Sequence, residues 1–147
     1  MKVMRFMSLA EFNKYLTGEV LQNYEDHKAR TDAIGFCFLD ADEYGANDAY
    51  HFLSGVVSSE ICAIFEVPDH TPFKHGTGQF ADPAARALSI MEAMFNTDTI
   101  DVKEYSITEY SDKQFKLVQY CDNFAWNFSE ESFDRIFDWQ PAGKVAA

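Results

Sequence analysis

Apolar residues dominate the first seven positions, MKVMRFM, and from Val3 to Met7 both faces of the strand that they predict are apolar except at Arg5. The spacing then becomes helical. Ser8 and Glu11 have the spacing of a capping box, and Met7 and Phe12 have the spacing of a hydrophobic staple. We therefore predict a short strand that leads directly into a helix beginning at Ser8.

The predicted first helix has an apolar stripe and a clear end. Leu9, Phe12 and Leu16 recur at helical spacing and form the expected buried stripe. Gly18 follows, and glycine is the residue that most often ends a helix in the left-handed conformation. The helix is therefore expected to end at Gly18.

The rest of the pattern predicts four more strands and three more helices. The strands are AIGFCFLD (33–40), EICAIFEV (60–67), TIDVKEYSITEY (99–110) and KQFKLVQYC (113–121). The helices are NDAYHFLSG (47–55), PAARALSIMEAMFN (83–96), and a last one from about Ser129 that carries Phe133, Ile136 and Phe137 on one face. The segment PDHTPFKHGTGQFAD (68–82) is expected to be a loop. Together these predict one α+β domain over residues 1–147, with short helices packed on a mixed or antiparallel sheet of about five strands.

The charge narrows the classes of function. The 147 residues include 24 acidic and 12 basic side chains, and the formal net charge is -12. Such a chain repels nucleic acid and anionic membranes, and no apolar run is long enough to span a bilayer. The first residues also lack the pattern of a cleavable leader, so a cytoplasmic location is expected.

The cysteines and histidines do not predict a metal site or a disulfide framework. Cys37, Cys62 and Cys121 are odd in number and contain no C-x-x-C pair, and we expect Cys37 and Cys62 to be buried and reduced. His70 and His75 share a predicted loop without metal-ligand spacing, and HGTGQ reads as a mobile turn. The segment DADEYG starts like a calcium loop but has a tyrosine at the fifth place, so a turn before a helix is expected.

Arg5 needs an explanation, because a guanidinium on a strand that is apolar on both faces is costly without an anionic partner. Two interpretations stay open at this point. The first is structural: an internal salt bridge to an acidic side chain, or exposure at the end of the strand. The second is functional: a hook that binds the anionic part of a ligand.

The order of elements around Arg5 resembles the ADP-ribosyltransferase-like fold in its small arginine/serine/glutamate form. The likeness is carried by the arginine strand, the helix with S-x-x-E-F, the segment GFCFLDADEYGANDAYHFL, and a later strand with Glu104. The resemblance implies that NAD is the substrate, that Arg5 holds it, and that Glu104 bonds the ribose 2′-hydroxyl during transfer to an unknown acceptor. Where the family has a small polar pattern on the second strand, this chain has Phe36, Cys37 and Phe38, and the two rings would stack on nicotinamide.

A second alignment within the same fold family also selects Glu104. HGTGQFADPAARAL is similar to the G-x-G-x-Y-F-A loop and helix of the poly(ADP-ribose) polymerase branch, and KEYSITEY is similar to its glutamate strand. That branch needs a histidine on the first strand, where this chain has none. We therefore prefer the first alignment.

Glu104 also lies at an irregular point of its predicted strand. The apolar alternation slips at Lys103 or Glu104, which predicts a β-bulge that would re-aim the carboxylate. A carboxylate there could stabilise the positive charge that develops on the sugar when the nicotinamide bond breaks. Glu109 is the reserve candidate for this role.

The composition also supports a function of another class. A compact protein with a net charge of -12 and 16% aromatic residues could be a small acidic binding or inhibitor protein. Such a protein would occupy a basic groove of a partner and present carboxylates in place of nucleic-acid phosphates. From the sequence we prefer the ADP-ribosyltransferase-like hypothesis and keep the acidic binding protein as the alternative.

Overall fold

The structure of the protein is a computed structural model, and it describes residues 1–22, 36–47, 49, 60–77, 103–124, 127, 129–131 and 135–144. The predicted helix at 83–96 lies outside the described residues, and so does most of the predicted helix at 47–55. Within the described part, the elements follow one another along the chain as a mainly β domain. They are β1 (Lys2–Met7), α1 (Leu9–Leu16), β2 (Leu21–Gln22), β3 (Phe36–Asp40), β4 (Ile61–Glu66), β5 (Lys74–Thr77), β6 (Lys103–Ile107), β7 (Glu109–Tyr110), β8 (Lys116–Cys121), β9 (Gln140–Pro141) and a 3-10 turn (Ala142–Lys144).

Seven of these strands form one antiparallel sheet in the order β5-β6-β3-β1-β4-β8-β9, while β2 and β7 pair separately. The sheet is therefore larger than the predicted one of about five strands, and it is antiparallel throughout. One of the added strands, β5, lies in the segment predicted as a loop. β5 has no apolar alternation. It can form without one because backbone hydrogen bonds to a single neighbour can hold an edge strand.

β1 is the central strand and is buried on both faces, as its pattern predicts. It pairs with β3 on one side and with β4 along its whole length on the other. On one face of the sheet, the helix face, α1 covers a core that includes Val3, Phe38 and Phe65. On the opposite face, Met4 and Leu39 belong to a second cluster.

The predicted beginning and end of α1 are confirmed. The Ser8 hydroxyl accepts a hydrogen bond from the Glu11 amide at 3.1 Å, as an N-cap should. At the other end Gly18 has a φ of 82°. Its amide donates to the Tyr15 carbonyl and the Glu19 amide donates to the Lys14 carbonyl, which is the Schellman pattern.

The buried stripe of α1 differs from the prediction. Phe12 and Tyr15 are buried, whereas Leu9 is 45% exposed and Leu16 is 37% exposed. The Tyr15 hydroxyl donates to the Phe115 carbonyl and accepts a hydrogen bond from the Leu117 amide of β8. The helix is thus rotated so that Tyr15, and not the two leucines, anchors it to the sheet.

The predicted C-terminal helix is wrong where it can be compared. Ile136 and Phe137 are not helical, and Phe133 lies outside the described residues. The ring of Phe137 stacks on Phe124 at 5.4 Å and on Trp139 at 5.6 Å. Non-helical chain with stacked aromatic rings therefore takes the place of the predicted helix on the opposite face of the sheet.

The cysteines are free thiols, and their burial matches the prediction in part. Cys62 is fully buried and reduced, as expected, but Cys37 is only half-buried. Cys62 and Cys121 are direct partners across β4 and β8. Burial raises the pKa of the Cys62 thiol well above its ordinary value, and the neighbouring Cys121 adds to this effect.

Candidate functional site

The structure places Arg5 in the middle of the central strand, on the helix face of the sheet. It is paired with Ala63 of β4, which belongs to the helix-face core. The Arg5 side chain is 11% exposed, so most of the guanidinium has left water. A cation in this position requires anionic and polar partners.

Arg5 has those partners within the fold. Its Nε and Nη2 atoms donate to the two carboxylate oxygens of Glu11 at 2.7 and 2.8 Å, and Nη1 donates to the Cys37 carbonyl at 3.0 Å. The guanidinium carbon also lies 4.8 Å from the ring centroid of Phe36 and 5.5 Å from that of Phe38. The internal salt bridge, which the sequence left open as one explanation of Arg5, is present.

Glu11, the acidic partner of Arg5, also accepts a hydrogen bond from a second element of the fold. The Tyr110 hydroxyl donates to the Glu11 carboxylate, and Tyr110 itself is buried. Burial lowers the pKa of Arg5, but the charge and hydrogen bonds of Glu11 outweigh it and the net direction is upward. The guanidinium therefore stays charged, and Glu11, Arg5 and Tyr110 form one polar network that ties α1 to β1 and β7.

The structure does not bring Glu104 together with Arg5. Tyr105 pairs with Phe38 and packs on the helix-face core. Because neighbouring residues of a strand point to opposite faces, Glu104 belongs to the opposite face from Arg5. Glu104 is only 4% exposed and pairs with Gly76 of the edge strand.

The bulge predicted beside Glu104 is not found within β6. The pairing with β5 runs without interruption from Lys103 to Ser106, and the pairing with β3 covers Tyr105 to Ile107. A register shift occurs instead between β4 and β8, where β8 carries one extra residue opposite Ile64 and Phe65. The first half of the predicted irregularity, residues 100–102, lies outside the described residues.

Phe36 and Phe38, the predicted nicotinamide stack, are core residues. Phe36 is 3% exposed and Phe38 is fully buried. The Phe38 ring contacts Phe65, Phe115 and Tyr110 at centroid distances of 6.3, 5.0 and 5.5 Å. Both rings therefore shield Arg5 from water, and a ligand could reach them only if the core opened.

A cleft of about 420 Å³ lies elsewhere, between the segment before β5 and the end of β6. It is lined by Pro68, His70, Thr71, Pro72, Lys74, Ser106, Ile107, Thr108, Glu109 and Gln114. The reserve candidate Glu109 is thus exposed at this cleft, whereas Arg5 and Glu104 do not line it. The cleft combines one lysine, one histidine and one carboxylate with a proline-rich wall.

The described residues contain no group of three or more His, Cys, Asp or Glu side chains that could hold a metal ion. The segment DADEYG forms a turn in which one carboxylate oxygen of Asp40 accepts hydrogen bonds from the amides of Asp42 and Glu43 at 2.8 and 3.2 Å. This oxygen therefore stabilises the backbone of the turn, as the carboxylate of an aspartate at the start of a turn usually does.

Comparison of the chain with protein-family models, with curated proteins and with solved structures finds no match. In the part of the chain that the structure describes, no helix is long and apolar enough to cross a membrane.

The role of Glu11 was missed by the sequence reasoning, which assigned this residue to the helix cap alone. A signal for it was present: Glu11 lies in the first turn of a helix that begins directly after the arginine strand. Because only Ser8 separates β1 from α1, the first turn of α1 lies close to β1. An acidic side chain in that turn can therefore reach a side chain on the helix face of β1. The Tyr110 contact had no such local signal, because it joins residues 99 positions apart.

Proposed function

We propose that this protein is an acidic, non-enzymatic binding module that occupies a basic groove of a partner protein and presents carboxylates there in place of nucleic-acid phosphates. The observation that carries the proposal is the state of Arg5, which is closed in an ion pair with Glu11 and lies on the other sheet face from Glu104. The cation that would hold a nucleotide is thus used to join α1 to the sheet. What the protein offers to a partner is its surface.

That surface is strongly acidic. Within the described part of the chain, exposed acidic side chains outnumber exposed lysines, and the whole chain has a net charge of -12. The exposed acids are Glu19, Asp42, Glu43, Glu60, Glu66, Asp69, Glu109, Asp122, Glu130, Glu131 and Asp138. The exposed lysines are Lys2, Lys14, Lys74, Lys103, Lys113 and Lys116.

Such a surface favours a basic partner for a physical reason. The summed field of many carboxylates attracts a positively charged groove and speeds the encounter. This attraction suits a protein that competes with a polyanion.

The test is competition with nucleic acid. A fluorescently labelled DNA duplex is bound to a purified basic DNA-binding domain, and its anisotropy is followed as this protein is added. We expect displacement of the duplex, with an affinity that falls steeply as the salt concentration rises, because the contact is ionic. An unrelated folded protein with the same net charge is the control. Displacement no better than the control's, across a panel of basic domains, would contradict the proposal.

Turnover of NAD stays a prediction from the sequence resemblance, and it is tested separately. If Glu104 supports that chemistry, Glu104→Gln should lower NAD consumption by about 10²-fold with little change in stability. A wild-type protein that neither binds nor consumes NAD would leave the binding module as the supported function.

A further inference from the structure

The exposed apolar side chains gather at α1. In the described part of the chain, the large hydrophobic residues that are exposed are Leu9, Leu16, Val20 and Ile136. The first two lie on α1, and Val20 follows directly after its C-terminal turn, where it is 54% exposed. We call Leu9, Leu16 and Val20 the leucine flank.

The two leucines of this flank lie on one side of the helix. They are seven residues apart, which is close to two turns and about 10 Å along the axis. Each is also a surface neighbour of Phe12, at helical spacings of three and four residues. The Phe12 ring lies 5.3 Å from that of Tyr120, so the flank continues toward the half-buried face of β8.

The apolar side of α1 is wider than the part that the fold buries. The spacing of Leu9, Phe12 and Leu16 makes one apolar stripe, yet only Phe12 of the three is buried. Burying a leucine side chain is favourable, so an apolar stripe that stays exposed in the described part of the fold is a candidate surface for a partner.

Acidic side chains lie at both ends of the flank and favour a basic partner, although Lys116 donates to the Asp112 carbonyl at the C-terminal end. The Glu60 carboxylate accepts a hydrogen bond from the Leu9 amide at 3.2 Å, so it lies at the N-terminal end of the flank. At the other end, Glu19 is exposed and the Asp112 carboxylate lies 3.7 Å from the position that a Cβ on Gly18 would take. A second copy of the chain would bring another net charge of -12, which disfavours self-association.

We infer that the leucine flank docks a basic amphipathic helix, one that lines the partner's groove. Its apolar side chains pack against Leu9 and Leu16, and its lysine or arginine side chains face Glu19, Glu60 and Asp112. Apolar anchors surrounded by complementary charge are the usual composition of a helix-binding surface. The inference rests on the proposed function and adds the place of contact and the kind of element that is bound.

The probe is a synthetic helical peptide of lysine and leucine, about four turns long, with all its leucines on one face. Its control is a peptide of the same composition whose order destroys the apolar face. Binding of both to the wild type, to L9S/L16S and to Ile136→Ser is measured by calorimetry, and amide shifts are mapped by NMR. Ile136 is the matched control because it is 44% exposed and is followed directly on the chain by Phe137, which packs in the cluster on the sheet face opposite α1.

We expect the amphipathic peptide to bind the wild type and Ile136→Ser equally, and to bind L9S/L16S at least about tenfold more weakly. The amide shifts should be largest between Leu9 and Val20. If L9S/L16S melts early, Glu19→Lys on the exposed rim is the second variant, and it should also weaken binding. Equal affinity of the peptide for wild type, L9S/L16S and Glu19→Lys would overturn the inference.

The result also separates this inference from the proposed function. If L9S/L16S displaces DNA from a basic domain as well as the wild type does, the proposed acidic module is supported. The leucine flank is then not its contact surface, and the inference is overturned. A dimer of the wild type that L9S/L16S abolishes would show that a second copy occupies the flank, and it would overturn the inference. Failure of both the DNA competition and the peptide titration would remove the two together.

Discussion

The ion pair between Arg5 and Glu11 makes a sharp prediction about stability. Glu11→Gln keeps the size of the side chain and one acceptor oxygen but removes its charge, so the Arg5 cation stays in the core without its counter-charge. Breaking a buried pair in this way costs about 3–5 kcal/mol. Because the two side chains are still 11% and 14% exposed, we expect the lower end, about 3 kcal/mol.

The measurement is urea unfolding, with the free energy of unfolding taken by linear extrapolation. Glu19→Gln is the matched control, since it removes an exposed carboxylate just beyond α1 and should change stability by less than about 0.5 kcal/mol. The double variant R5M/E11L replaces the pair by apolar side chains. It should cost less than Glu11→Gln alone, although Tyr110 loses its acceptor.

The outcome that would refute this reasoning is a small effect. If Glu11→Gln lowers the free energy of unfolding by no more than Glu19→Gln does, the pair is not buried as described. Arg5 would then be open to solvent or to a ligand, and the anion-hook interpretation of its position would regain support.

The remaining predictions concern the cap, the buried tyrosines and the thiols. Ser8→Ala should lower stability by about 1 kcal/mol, measured as the urea midpoint, because the Glu11 amide loses its acceptor; an unmoved midpoint would contradict the cap. Burial raises the pKa of Tyr15 and of Tyr110, so the stability that they contribute is present below the unfolded pKa of about 10 and is lost as the pH rises above it. Tyr110→Phe should make that alkaline loss of stability shallower, and an identical slope would count against the raised pKa of Tyr110. In the native protein a thiol reagent should label Cys37 well before Cys62 and Cys121, and early labelling of Cys62 would mean that the strands around it open.

The elements that could be predicted from the sequence are those set by local chemistry. β1, the Ser8 cap and the turn at Gly18 depend on residues within a few positions of one another, and all three are found. β3 and β4 are also found, because buried strands in the middle of a sheet have continuous apolar runs.

The failures have physical causes that the local pattern does not contain. β5 has the sequence KHGT and is held at the edge by backbone pairing to β6, so its side chains give no periodic signal. Phe133, Ile136 and Phe137 have the spacing of a helix, but Phe137 stacks on Phe124 and the chain at Ile136 and Phe137 is not helical. The rotation of α1 is decided by Tyr15, whose partners lie about a hundred residues away.

In the candidate site, too, some features could be predicted from the local sequence and others could not. The sequence indicates that Arg5 needs an anionic partner, but 24 acidic residues are available and the pattern does not choose among them. The separation of Glu104 from Arg5 depends on the pairing of β3 with both β1 and β6, which is a property of the whole sheet. The sequence therefore identifies Arg5 as a residue that needs an anionic partner, but it does not identify Glu11 as that partner.

The most direct test of the account is the state of the Arg5 guanidinium in solution. The NMR signal of its Nε–H is assigned by comparison with Arg5→Lys, and its exchange with water is measured with and without NAD. A guanidinium held by Glu11 should give a signal that exchanges slowly, that exchanges faster in Glu11→Gln, and that does not move when NAD is added. Rapid exchange in the wild type, or a saturable shift of this signal with NAD, would contradict the account and place a ligand at Arg5.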